Sequence, residues 1–433
     1  MKNNHVYKAY ALHNVEQLPQ WNTLSDEARE AIQVVGQVLP FKTNNYVTEQ
    51  LINWNDPMND PMFRLTFPQR GMLNPSHYEM MKTTLDRTSD ASIIKSVANK
   101  IRLALNPHPA GQMEHNVPEL NGEKLNGLQH KYKETVLFFP SNGQTCHAYC
   151  TFCFRWPQFT GMNEFKFAQK DAQVLVDYLE QHPEVTDVLF TGGDPMIMKA
   201  KILEVYIRPL LSKKMKHIRS IRIGTKALGY WPYRFTTDDD AQEVLRLFKE
   251  VTETGKHLAF MAHFSHPVEL STPAVKEAIR NIRLTGAQLR TQSPILRGIN
   301  DHSSIWKEMW NEQVGQGLIP YYMFIPRDTG AQDYFAVPLA RAYRIFRNAY
   351  SGVSGLARTV RGPSMSATPG KVAVQGVTEI DGQRYFVLTY LQARDPKLAM
   401  KPFLAPYSEE AIWLNDLEII NEEMAEYTNA FSH

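Results

Sequence analysis

TCHAYCTFCFRW, residues 145–156, holds all three cysteines of a 433-residue chain: Cys146, Cys150 and Cys153. Scattered at random, three cysteines would fall within eight positions in a chain of this length on the order of once in a thousand sequences. An odd number cannot pair off into a disulfide framework, so the spacing points to metal or redox chemistry. Three thiolates this close can hold three irons of a [4Fe–4S] cube and leave the fourth iron open to an outside ligand. The alternative is zinc bound by the three cysteines and His147, although zinc sites of that composition usually divide their ligands into two pairs across a longer loop.

The cysteine stretch directly follows an apolar segment, residues 135–139. This is the first of six such segments, the others being 187–190, 218–223, 257–262, 288–292 and 319–324. Helical patterns fall between them at 168–181, 239–254, 273–285 and 303–316. Strands alternating with helices predict parallel βαβ units, and six of them predict an α/β fold built on a partial (β/α) barrel. A doubly wound open sheet would share the pattern, because strand order is not written in sequence. In a barrel, the loop after the first strand lies at the C-terminal mouth, where chemistry is usually built.

Upstream, residues 21–107 read mainly as helix, with patches at 77–85 and 93–105. Downstream, 337–350 reads as helix, and a Gly/Pro/Ser-rich run at 361–371 leads into 372–377. The Asp381-Gly382 turn joins that segment to 384–391 as a hairpin, read as a lid or closing segment. The expected organisation is a helical N-terminal region (1–130), a barrel core (131–345) and a C-terminal segment (346–433).

A net charge of +2, with 43% hydrophobic and 21% charged residues, is the balance of an ordinary globular protein. It gives no sign of nucleic-acid or membrane-surface binding. No apolar run is long enough to span a bilayer, and the opening MKNNHVYKAYALHN lacks the apolar core of a signal peptide. The expected location is cytoplasmic.

The second strand ends in Phe190-Thr191-Gly192-Gly193-Asp194-Pro195. Two glycines let the backbone approach a ligand closely, and Asp194 or the freed backbone groups could receive a cationic amine. One strand after a Cys-x3-Cys-x2-Cys loop, this turn resembles the element by which radical S-adenosylmethionine (SAM) enzymes hold the amino group of SAM. From about residue 128 to 371 the chain resembles the lysine 2,3-aminomutase family, radical SAM enzymes that also use pyridoxal 5'-phosphate (PLP). The matching segments, in the family's order, are His130-Lys131-Tyr132, the cysteine stretch with Arg155, 189–194, Arg222-Ile223-Gly224 and His263-Phe264-Ser265-His266-Pro267. Gln292-Ser293, 296–301, Pro320-Tyr321-Tyr322 and Pro369-Gly370-Lys371 complete the set.

The resemblance implies a [4Fe–4S] cluster on the three cysteines, SAM held by Gly192, Gly193 and Asp194 with His263 at its border, and PLP carried by Lys371. It further implies that Lys131, Tyr132 and Gln292 hold PLP, and that Arg155 anchors the substrate carboxylate. The implied reaction moves an α-amino group of an amino acid to its β-carbon, with a flavodoxin- or ferredoxin-type electron donor; a homo-oligomer is compatible with it. A PLP-independent radical SAM reaction and a zinc-stabilised binding protein stand as alternatives.

Two departures from the family matter. Its glycine run before the PLP lysine reads Ser364-Met365-Ser366-Ala367-Thr368-Pro369-Gly370 here. Lysine-specific members pair the substrate's distal ammonium with two aspartates. Here the first position falls on Arg327, with Asp328 one step later, and the second falls near Ser364. Leaving an ammonium buried without its counter-ion costs several kcal/mol, on the order of 3–5. Lysine is therefore not the expected substrate; Arg327 and Asp328 are the expected contacts at the distal end, where Arg327 would favour a carboxylate or a neutral polar group.

Overall fold

The computed structural model describes residues 5–111 and 113–430. Its N-terminal region contains helices α1 (Asp26–Val38), α2 (Pro75–Arg87) and α3 (Ala91–Ala104). Each opens on a side chain that accepts from a free backbone N–H of the first turn: Ser25, Asn74 and Asp90.

Eleven strands then form one sheet, side by side in chain order. β1 (Leu128–Tyr132) runs antiparallel to β2 (Thr135–Phe138). From β2 the sheet is parallel through β3 (Asp187–Phe190), β4 (Ser220–Thr225), β5 (His257–His263), β6 (Gln288–Pro294), β7 (Ile319–Phe324) and β8 (Arg361–Ser366). β9 (Gly370–Ile380), β10 (Gln383–Ala393) and β11 (Pro402–Pro406) continue it antiparallel. Crossover helices connect the parallel strands: α4 (Ala172–Gln181), α5 (Ala200–Ile207), α6 (Ala241–Glu253), α7 (Pro273–Leu284), α8 (Ser303–Gly315) and α9 (Leu339–Ser351).

The alternating faces of the parallel strands divide the labour. Val136, Phe138, Val188, Phe190, Ile221, Ile223, Leu258, Phe260 and Leu289 face the helices and are buried in one continuous core. The opposite row carries Thr135 and Leu137, Asp187 and Leu189, Ser220 and Arg222, Ala259 and Met261, and Arg290, and it lines an internal cavity. A closed (β/α)8 barrel fills that space with branched side chains; here Leu137, Leu189 and Met261 share the row with Thr, Asp, Ser, Ala and Arg side chains, and the interior stays hollow. The same cavity touches Gln129 on β1 and Gln392 on β10, so the sheet curls into a trough. Side chains bridge its seam: Lys131 Nζ on β1 donates to the Ala367 carbonyl at 2.6 Å, and Arg394 Nη1, just after β10, donates to the His115 carbonyl at 3.3 Å.

The structure departs from the sequence reading in three places. The Gly/Pro/Ser-rich run 361–371 carries an element of its own, because its first six residues form β8, the last parallel strand. Helix α4 begins at Ala172, four residues later than its pattern, because Gln169 is tied by its N–H to the Phe139 carbonyl (2.8 Å) and Asp171 caps the helix. Helix α5 and the strands β1 and β11 had no counterpart in the sequence reading.

The N-terminal helices have their own apolar cluster. It extends onto Ala148, Trp156, Tyr230, Trp231, Leu296, Ile299 and Phe335, all from segments that follow the strands. The N-terminal region therefore covers the mouth of the trough. Among the described residues no helix is long and apolar enough to cross a membrane.

Phe260 tests the strand–helix layer. It is fully buried, with ring centroids 5.0 Å from Phe248 on α6 and 6.1 Å from Phe235. Phe260→Ala is expected to lower unfolding free energy by about 3–5 kcal/mol in denaturant titration. A loss below about 1 kcal/mol would mean that β5 does not pack on α6 as described.

Candidate active site

The cysteine loop leaves β2 and is gripped from two sides by backbone bonds. From below, the Asp194 N–H donates to the Thr145 carbonyl at 2.7 Å and the Gly143 carbonyl at 3.1 Å. Gly193 lies so close to the Thr145 backbone that any side chain would collide with it. From above, the N-terminal region supplies Lys42, whose Nζ donates to the Cys146 carbonyl at 2.6 Å, and Tyr7, whose hydroxyl donates to the His147 carbonyl at 2.6 Å. The Tyr149 N–H reaches the Lys42 carbonyl (2.7 Å) and the Thr151 N–H the Leu65 carbonyl (2.9 Å).

Held in this way, Cys146, Cys150 and Cys153 line one chamber of about 350 Å³. Their thiols are unbridged, and burial raises the pKa of each, Cys150 to about 12. An incoming metal must therefore displace three protons. Three thiols sharing one chamber are the donor set that a [4Fe–4S] cube takes on three of its irons.

Gly192, Gly193, Asp194, His263 and Gln292 line the same chamber. The Asp194 carboxylate is already committed: it accepts from Thr225 Oγ1 (2.7 and 2.8 Å), the Lys226 N–H (2.8 Å) and the Met196 N–H (2.9 Å). Burial still pushes its pKa up to about 6. Asp194 thus fixes the turn instead of offering a free carboxylate to an amine. His263 presents a buried Nε2 that has no partner, and burial holds its pKa well below the usual histidine value.

A second chamber of about 420 Å³ continues from the first toward the starts of the strands. Arg155, Arg222, Arg327, Tyr322, Ser366 and Lys371 line both. Lys131 and Tyr132 line the second. The carboxylate there, Asp187, is taken by a two-point ion pair with Arg222. Lys371 Nζ lies 3.9 Å from the Tyr322 ring centroid, and its pKa falls to about 7 through burial and then the Arg222, Arg361 and Arg327 charges. Burial, with Arg327, Arg394 and Lys371 nearby, also lowers the Lys131 pKa. The Arg155 guanidinium stacks between Phe139 (4.3 Å) and Phe154 (4.9 Å), and its buried Nη1 has no hydrogen-bond partner. Arg327 covers the Phe154 ring at 4.5 Å. A cavity with this charge balance is built for anions.

Asp328 lies outside both chambers. Asn106 Nδ2 donates to its carbonyl at 2.5 Å and to its Oδ2 at 3.2 Å, which turns it toward the N-terminal region, while its buried Oδ1 has no hydrogen-bond partner. Ser364 is buried in β8 with its hydroxyl on the Met323 carbonyl at 3.4 Å. His266 caps the turn at Pro267 and does not line either chamber.

Sequence reasoning missed Lys42, Tyr7, Lys226, Tyr230 and Glu269. Lys226 and Tyr230 line the cysteine chamber, and Lys226 Nζ pairs with the fully buried Glu269 at 2.5 Å. The available signal was the position of Lys226 just beyond a strand's C-terminal end, where barrel sites collect. Nothing local marks Lys42 or Tyr7, whose roles depend on contacts more than a hundred residues away.

No family model matches the chain. Among curated proteins it is 31% identical over 418 residues to a putative L-lysine 2,3-aminomutase of Aquifex aeolicus (strain VF5), covering 96% of each chain. It is 29% identical over 249 residues to the L-lysine 2,3-aminomutase of Bacillus subtilis (strain 168), covering 58% of this chain and 50% of that one. With the L-lysine 2,3-aminomutase of Clostridium subterminale it shares 25% identity over 344 residues, or 79% and 71% of the two chains. Among solved structures, Streptococcus suis SuiB bound to S-adenosylmethionine gives a TM-score of 0.35 at 13% identity, over 61% of this chain and 54% of that one. That likeness is too slight to argue from. The sequence identity runs from end to end, well beyond the motifs around the cysteines, and the chain belongs to the lysine 2,3-aminomutase family of radical SAM enzymes.

Proposed function

We propose that the enzyme moves the α-amino group of an acidic amino acid to its β-carbon, using a [4Fe–4S] cluster, SAM and PLP. The observation that carries this reading is the continuity of the two chambers: the three cysteines and Lys371 open onto one space, with the unpartnered Arg155 Nη1 between them. When bound, the cluster with SAM supplies a hydrogen-abstracting radical, and PLP supplies a carrier for the migrating amine.

The chain's own residues do the rest. Cys146, Cys150 and Cys153 hold three irons as thiolates. Gly192 and Gly193 keep the chamber wall thin, Asp194 fixes that wall, and His263 Nε2 offers SAM a polar contact. Lys131 and Tyr132 offer the phosphate of PLP N–H and O–H donors, Gln292 borders the carrier, and Lys371 binds it. Arg155 receives the α-carboxylate bidentately. The aromatic walls and the N-terminal cover exclude water from a reactive centre. In this proposal residues 1–130 cover the mouth, 131–345 form the reaction chamber and 346–433 bring Lys371. A cytoplasmic setting, which keeps three thiols reduced, and a flavodoxin- or ferredoxin-type donor complete it.

Substrate choice follows from charge. Asp187 is occupied by Arg222 and Asp328 faces Asn106, so no free carboxylate in the chamber could pair with a distal ammonium among the described residues. Arg327 instead offers a cation. Anaerobic incubation with SAM, PLP, a strong reductant and a mixture of amino acids is expected to yield β-glutamate, separated from glutamate by chromatography and read by mass spectrometry, and no β-lysine. Arg327→Gln is expected to raise KM for the acidic substrate roughly 10–100-fold, the loss of about 1.4–2.7 kcal/mol of binding. Preferential β-lysine formation would overturn the substrate assignment, and absence of any β-amino acid would overturn the reaction.

Lys371 gives a pH test independent of turnover. With its pKa near 7, the free amine rises from about a tenth of the population at pH 6 to about nine tenths at pH 8. Borohydride-trapped PLP at Lys371 in the apoprotein is expected to form roughly tenfold faster at pH 8 than at pH 6, then level off. A rate that keeps climbing tenfold per pH unit past 9 would mean an ordinary, solvated lysine.

A further inference from the structure

Tyr230 sits beside the cysteines with its ring 1% exposed and its hydroxyl 3.6 Å from Cys150 Sγ. Phenylalanine would fill the same space, so packing alone does not account for the hydroxyl. The surroundings hold the ring in place. The Tyr230 N–H donates to the Lys226 carbonyl at 3.0 Å, and Asn44 Nδ2 donates to the Tyr230 carbonyl at 2.9 Å. Lys226 Nζ lies 4.6 Å from the ring centroid and is anchored at 2.5 Å on Glu269 Oε1. Glu269 is fully buried and also accepts from the Ser265 and His266 N–H groups. The fit extends to Gly229, where a Cβ would come within 2.7 Å of Glu269 Oε1.

We infer that Tyr230 is a positioning residue for the iron–sulfur centre, donating an O–H hydrogen bond to the sulfur of Cys150. The inference rests on the assignment of the cluster to the three cysteines. A thiolate bound to iron has no proton to give, so the phenol is the donor of the pair. A hydrogen bond to a cluster sulfur withdraws electron density from its iron and raises the reduction potential. Cys150 is thereby distinguished electronically from Cys146 and Cys153. The centre becomes easier to reduce by an external donor, and Lys226, Glu269 and Asn44 act indirectly by fixing the ring.

The test compares full-length wild type, Tyr230→Phe and Tyr230→3-fluorotyrosine after anaerobic reconstitution with iron and sulfide. Metal and sulfide content are measured, the midpoint potential is taken by EPR-monitored titration, and the coupling of the exchangeable proton is read by deuterium-exchange ENDOR. Tyr230→Phe is expected to keep the wild-type iron content, lose one exchangeable-proton coupling and shift the potential to more negative values. The more acidic fluorotyrosine is expected to shift it to more positive values. A full cluster in Tyr230→Phe with unchanged potential and coupling overturns the inference and leaves the cluster assignment standing. If Tyr230→Phe does not fold, a fluorotyrosine enzyme without a positive shift overturns it. Wild-type protein that assembles no cluster overturns both.

Discussion

The buried carboxylate of Asp194 is the joint on which the site depends. Its oxygens accept from Thr225, Lys226 and Met196, and its N–H donates to Gly143 and Thr145. One residue thereby ties the end of β3, the end of β4 and the start of the cysteine loop. Burying a carboxylate is unfavourable unless hydrogen bonds replace its water. Here they do, from three directions, and the geometry they impose sets where the three sulfurs stand. The N-terminal region completes the arrangement by bonding to the Cys146 and His147 carbonyls through Lys42, Asn44 and Tyr7.

The second constraint is electrostatic. The parallel sheet's inward row, which mixes Leu and Met with Thr, Asp, Ser, Ala and Arg, leaves its interior open, and that space is rich in cations. Arg155 and Lys371 lie deep enough that burial pulls their pKa values to about 9 and about 7. Such groups destabilise an empty protein and are stabilised by anionic ligands. The hollow and the charge are thus one design, which reserves room for ligands and specifies their sign.

Much of this was legible in sequence because it is local. Residues 187–190 and 319–324 are strands end to end, since short apolar runs bounded by turn residues leave little else for the backbone to do. The cysteine spacing could be read in the same way, whereas only the family resemblance singled out Lys371. β8 could not. It contains Gly362 and Pro363, which read as breakers, yet it pairs with β7 through Arg361 and Ser364 on either side of them. The glycines at 192 and 193 were legible as a close approach but not as an approach to what: Gly193 meets the Thr145 backbone and Gly192 the Gln144 side chain. Asp328 illustrates the same limit, because the neighbour that turns it away, Asn106, is 222 residues distant. Spacing along a chain reveals elements and motifs, but which carboxylate remains free is decided by tertiary contacts.

In the proposed assignment the three sulfurs hold a four-iron cube with one corner open to SAM. Mössbauer spectroscopy of protein reconstituted with 57Fe, recorded with and without SAM, tests it most directly. The expected spectrum is that of a [4Fe–4S] centre in which SAM shifts the parameters of one iron in four and leaves the other three unchanged. A spectrum without a four-iron cluster, or one in which SAM alters none of the irons, would contradict it.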